Sequence, residues 1–190
     1  QILLAWITAM FLGILLHEFG HALAMRYYGL DPWITLYGLG GLTSARSASA
    51  YRGLDSSTFA QIFISFAGPL AGFAGAGLIT VAAVAAGNEL AWSPLGPRIV
   101  WNGLSVGAYF GDFLFQICVF WGLINLLPVY PLDGGQIARE VFQYFSPRGG
   151  IRNSLLLSMV TAGGLAALAV LLFRSLFMAL MFGYLSYMSY

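Results

Sequence analysis

Residues 57–88 pass without a single formal charge, and three other stretches come close to matching them. Residues 1–25 carry only Glu18, Ile99–Ala138 only Asp112 and Asp133, and Asn153–Tyr190 only Arg174. A helix crosses the roughly 30 Å hydrocarbon core of a bilayer with about 20 mostly apolar residues, so runs of this length point to an integral membrane protein. The composition agrees. Of the 190 residues, 59% are hydrophobic and 8% charged, which suits neither a soluble globular domain nor a disordered chain. A net charge of +1 gives no electrostatic footprint for nucleic acid, and no nucleic-acid partner is expected. Cys118 is the one cysteine, so no intrachain disulfide forms and cysteine usage is silent about the redox compartment.

The apolar stretches place helices over roughly 2–28, 58–87 and 104–127. The last stretch is too long for one ordinary span. It reads as two short helices meeting near Phe173 and Arg174, with one long tilted helix as the alternative, which leaves four or five spans. The start is not a cleavable leader: it lacks a basic leading segment and carries His17, Glu18 and His21. Because the chain begins with Gln1 rather than Met, an earlier span is left open. In an alternating topology Arg26, Arg46, Arg52, Arg139, Arg148 and Arg152 share one side, with Arg98 and Arg174 on the other. The positive-inside rule puts the larger group in the cytoplasm.

The polar linker from Asp31 to Ser57 contains Trp33-Ile34-Thr35-Leu36-Tyr37 followed by Gly38-Leu39-Gly40-Gly41-Leu42-Thr43. Alternation around a glycine cluster predicts a short β-hairpin or re-entrant loop. Non-helical backbone survives at membrane depth only where protein buries it or a wet cavity bathes it.

His17-Glu18-Phe19-Gly20-His21 fits H-E-x-x-H and falls on the first helix. Residues i and i+4 share a helix face, so both imidazoles can reach one metal ion. Glu18 lies on the adjacent flank, within reach of a water activated by that metal. An acid at mid-helix costs about 2.5 kcal/mol or more in a bilayer, which makes such a residue a functional candidate by default. Zinc suits two neutral nitrogens and a carboxylate oxygen, with a fourth position left for water.

The acids left for a third ligand in the third region are Asp112 and Asp133. Asp133 closes the segment Asn125-Leu-Leu-Pro128-Val-Tyr-Pro131-Leu132-Asp133-Gly134-Gly135. Its prolines end the helix, and its glycines permit a tight turn that presents the carboxylate inward. Asp133 also falls toward the same cytoplasmic end as H-E-x-x-H. Asp112 falls nearer the opposite surface, where an interfacial or helix-start role fits better. Gly68, Ala71, Gly72 and Gly75 read as a close helix-packing face.

H-E-F-G-H in a membrane helix, followed about 110 residues later by N-L-L-P-V-Y-P-L-D-G-G, resembles the site-2 protease family of intramembrane zinc metalloproteases. The resemblance implies an all-α polytopic membrane protein forming a single domain over residues 1–190. Its three-helix metalloprotease core would span about 2–140, with accessory helices over about 153–190 and a short membrane-entering β-hairpin. By that resemblance His17, His21 and Asp133 are the ligands of one Zn2+ per chain and Glu18 is the general base. Asn125 matches the family's asparagine ahead of L-D-G, which implies a role in positioning substrate or the oxyanion. Ser65-Phe-Ala-Gly68-Pro69-Leu-Ala-Gly72 resembles the family's A-G-P segment, with Gly72 where the family often has Asn. Gly38–Thr43 resembles the loop beside the family's active site, where an unwound substrate can add as a strand.

The activity implied is hydrolysis of a peptide bond in or near the transmembrane segment of a single-span membrane protein, within the lipid bilayer. The implied location is a bacterial plasma (inner) membrane, with the active site toward the cytoplasm. No stretch between the motifs is long enough for a soluble sensor domain, so whatever gates substrate entry is absent from this chain or supplied by a partner; a regulatory membrane partner or a homo-oligomer is left open. The alternatives are a metal-ion transporter and a catalytically silent membrane scaffold. The transporter lacks a ladder of further ligands, and the scaffold does not require the intact core set.

Overall fold

A largely apolar sequence from Ile2 to Tyr27, interrupted by His17, Glu18, His21 and Arg26, forms the first helix, α1. It ends where Gly29 takes a φ of +79°, a left-handed conformation that glycine adopts without penalty. Leu30 N–H then closes back onto the Met25 carbonyl at 3.0 Å, satisfying a terminal carbonyl. The computed structural model describes residues 1–37, 40–45, 57–93, 96–103 and 105–190. The chain divides into two compact units, Gln1–Ala48 with Ala67–Leu123 and Ser49–Phe66 with Ile124–Tyr190.

In the first unit, α1 leads into an antiparallel hairpin of β1 (Pro32–Tyr37) and β2 (Gly40–Ala45). Pro32 pairs with Ala45, and Tyr37 with Gly40. The alternating segment is therefore a hairpin, as its pattern predicts; Gly38 and Leu39, and the linker arginines Arg46 and Arg52, lie outside the described residues. Both strands pack on α1.

Helix α2 (Thr58–Ala85) contains Pro69 and passes from the second unit into the first at Ala67. Its small-residue face does what close packing requires. A Cβ at Gly20 of α1 would lie 2.7 Å from the Ala71 Cβ, and one at Gly72 would lie 3.1 Å from the Cys118 carbonyl oxygen of α3 (Val106–Asn125). Between α2 and α3 runs a second hairpin, β3 (Glu89–Ser93) and β4 (Gly96–Val100). Sequence pattern alone does not indicate it. Asn88 and Asn102 fasten its base: Asn102 N–H donates to Asn88 Oδ1 at 2.9 Å, and the Asn102 amide donates to the Gly87 carbonyl. Ile99 of this hairpin joins Ala76, Ala83, Phe115 and Cys118 in a buried apolar cluster.

In the second unit, Asp133–Phe145 forms α4, Gly150–Leu171 forms α5 and Leu176–Met188 forms α6. Asp133-Gly134-Gly135 is thus not the turn expected from sequence: these residues open a helix. The glycines act by their smallness, since a Cβ at Gly135 would lie 2.5 Å from the Tyr130 nitrogen and one at Gly134 would collide with the Leu126 carbonyl. The chain breaks near Phe173, as expected: Arg174 adopts a φ of +48° and the Ser175 hydroxyl caps α6 by accepting from Met178 N–H at 3.3 Å. The two helices are unequal, however. With 22 residues α5 is long enough to span, whereas α6 has 13. Serine hydroxyls join the unit: Tyr130 N–H donates to the buried Ser158 Oγ at 3.1 Å, and Ser186 Oγ donates to the Met159 carbonyl at 3.0 Å.

Candidate metal centre

The buried positions of α1 are Ala5, Ala9, Gly13, Ile14, His17, Glu18, Gly20, His21 and Ala24. Their spacing of three and four traces one stripe along the helix. Its upper part is alanine, glycine and isoleucine; its lower part carries the chemistry. His17, Glu18 and His21 are 3%, 5% and 7% exposed, so two imidazoles and a carboxylate are withdrawn from both solvent and lipid.

The two rings meet edge to face with centroids 4.8 Å apart, and their Nε2 atoms face each other at 3.2 Å. Two nitrogens bound at about 2.0–2.1 Å to a tetrahedral zinc stand about 3.3–3.4 Å apart. The pair is therefore set at the separation that zinc requires, and the donor set fits the ion.

Packing fixes these side chains from two directions. From α2, Gly68 lies against the His21 ring: a Cβ there would lie 2.5 Å from Cε1 and 2.8 Å from Cδ2, and closer still to Nε2. Gly68 therefore does more than the helix packing read from sequence, because its missing side chain makes room for a candidate ligand. From the hairpin, β2 runs over Glu18. The Thr43 hydroxyl donates to Glu18 Oε2 at 2.7 Å, with the Glu18 main-chain oxygen 3.1 Å away as a second acceptor.

Asp133 and Asn125 belong to the second unit. Asp133 is 7% exposed and is the first residue of α4, where unpaired N–H groups and the helix dipole favour a carboxylate. Asn125 is the half-buried last residue of α3. Asp112, the other acid weighed as a ligand, belongs to the first unit; its carboxylate accepts a hydrogen bond from Gln116 Nε2 at 2.7 Å, one turn along α3. Thr43 is the residue sequence reasoning missed. Its only signal was its place two residues beyond Gly41 in an alternating segment, on the same strand face.

Among the described residues, four helices are long and apolar enough to cross a membrane: α1, α2, α3 and α5. With two small hairpins they define a multi-pass membrane protein with the fold of the site-2 proteases. The chain is similar over 96% of its length to the solved structure of the site-2 protease from Methanocaldococcus jannaschii, with a TM-score of 0.62 and 19% identity, and covers 74% of that chain. At that identity the likeness is one of fold. Residues 105–171 match the model of peptidase family M50. That segment carries Asn125 and Asp133 and lies downstream of H-E-x-x-H. No curated protein matches the chain. The resemblance read from the motifs thus extends to the fold and, over residues 105–171 only, to the family model.

Proposed function

We propose that this chain is a zinc-dependent intramembrane endopeptidase that cleaves a peptide bond in or near the transmembrane segment of a single-span membrane protein. The observation that carries this reading is the His17–His21 pair, with Nε2 atoms 3.2 Å apart beside a buried Glu18. Asp133 supplies the third ligand in this reading. It is buried at the start of α4 and closes the motif that the resemblance pairs with H-E-x-x-H. Zinc, when bound there, would acidify a water and polarise the scissile carbonyl.

Glu18 acts as base and then as acid. A carboxylate oxygen takes a proton as a water O–H bond breaks, and the hydroxide oxygen bonds to the carbonyl carbon. The proton then passes to the amide nitrogen as the C–N bond breaks. Asn125 donates to the oxygen that gathers charge on the carbonyl. A helix hides its peptide bonds in its own hydrogen-bond ladder, so the substrate must unwind, and the β1–β2 hairpin offers it a strand to pair with. The arginine distribution supports an orientation with this site toward the cytoplasm.

The test is cleavage of a single-span reporter co-reconstituted in proteoliposomes. Zinc-loaded protein should release a fragment and Glu18→Gln should release none while keeping its metal. Ion flux without cleavage would replace this reading with a transporter.

A further inference from the structure

We infer that strand β2 is a positioning element for the general base, with Thr43 and Gly41 assigning different tasks to the two oxygens of Glu18. The inference rests on the proposed role of Glu18 and deepens it. Gly41 and Thr43 are two apart on a strand, so they address the same face, and Glu18 lies under that face. The Thr43 hydroxyl donates to Oε2 at 2.7 Å, a charge-assisted bond that fixes the carboxylate's rotation. At Gly41 a Cβ would lie 2.7 Å from both Cδ and Oε1 and closer still to Cγ. The strand can approach so near only because residue 41 has no side chain.

Oε2 is therefore committed to Thr43, and Oε1 is the oxygen left to take the water proton. The arrangement has a second consequence. The strand that orients the base belongs to the hairpin proposed to receive substrate, so a substrate that shifts β2 shifts the base with it. Thr43 touches no reacting atom and is a positioning residue.

Three variants test this. Thr43→Val keeps the shape and removes the hydroxyl; Thr43→Ser restores the hydroxyl; Gly41→Ala intrudes on Oε1. With bound zinc unchanged, Thr43→Val should lower kcat by about tenfold or more, the scale of one hydrogen bond to a charged group, at constant KM. Thr43→Ser should recover most of that loss, and Gly41→Ala should lower kcat further. A readout independent of catalysis uses metal-free protein. Thr43→Val should lower Tm clearly more in the Glu18 background than in a Glu18→Ala background, where only the weaker bond to the main-chain oxygen of residue 18 is left to lose. Equal kcat for the unmodified protein and Thr43→Val, or the same Tm loss in both backgrounds, would overturn the inference. A zinc-loaded unmodified protein that cleaves nothing would count against the protease reading, while the Tm comparison would still decide on the Thr43–Glu18 bond.

Discussion

Adding one methyl group at Gly68 should cost the protein its metal. The Cβ of Gly68→Ala would lie 2.5 Å from His21 Cε1 and 2.8 Å from Cδ2, against about 3.5 Å for a relaxed contact. The ring must retreat by about 1 Å, whereas metal–ligand distances tolerate about 0.2 Å. It has little room to do so, because Gly20, next to His21, is already pressed against α2 with Ala71 2.7 Å from where a Cβ would be. We expect zinc affinity to fall sharply, and the metal-free protein to lose about 1–3 kcal/mol as the cost of overpacking. Gly77→Ala is the control on the same helix. Nothing lies within 4 Å of its Cβ position, so the change should leave zinc binding intact and raise stability by about 0.5–1 kcal/mol, through helix propensity alone. The assay is competition of each purified variant with a chromophoric zinc chelator, alongside thermal unfolding without metal. Full affinity in Gly68→Ala would refute the argument that the His21 ring is held by contact with α2.

Other expectations follow from the same packing. Gly134→Ala would drive a methyl into the Leu126 main chain, which cannot step aside as a side chain can; thermal unfolding should show a loss of about 3 kcal/mol. Cys118, 2% exposed within the apolar cluster, should resist maleimide in the folded protein and react once denatured. Ser175→Ala removes the cap on α6 and should cost about 1 kcal/mol, seen as faster amide hydrogen exchange in the first turn of that helix.

What the sequence made legible depended on the range of the forces involved. The spans were legible because crossing a bilayer imposes length and apolarity on consecutive residues, and α1, α2 and α3 start and end within about two residues of expectation. The first hairpin was legible through alternation beside glycines. The second was not, because β4 contains Pro97 and its strands are five residues each, and prolines argue against strands. Helix α4 was obscured for a related reason. Pro128, Pro131, Gly134 and Gly135 signal a turn, yet the two glycines serve contact with residues 126–130 from inside a helix. In the candidate centre, residue types and i, i+4 spacing announced His17, Glu18 and His21. Thr43 and Gly68 reach that cluster only through folding, across 25 residues in one case, and no local pattern records such a contact.

The central claim is that His17, His21 and Asp133 together hold one zinc. Metal content per chain, measured after zinc-replete purification in detergent for the unmodified protein, His21→Ala and Asp133→Ala, tests it most directly. The account predicts close to one zinc in the unmodified protein and a sharp fall in both variants. Zinc retained in full by Asp133→Ala would remove that residue from the site, and no zinc in the unmodified protein would contradict the account as a whole.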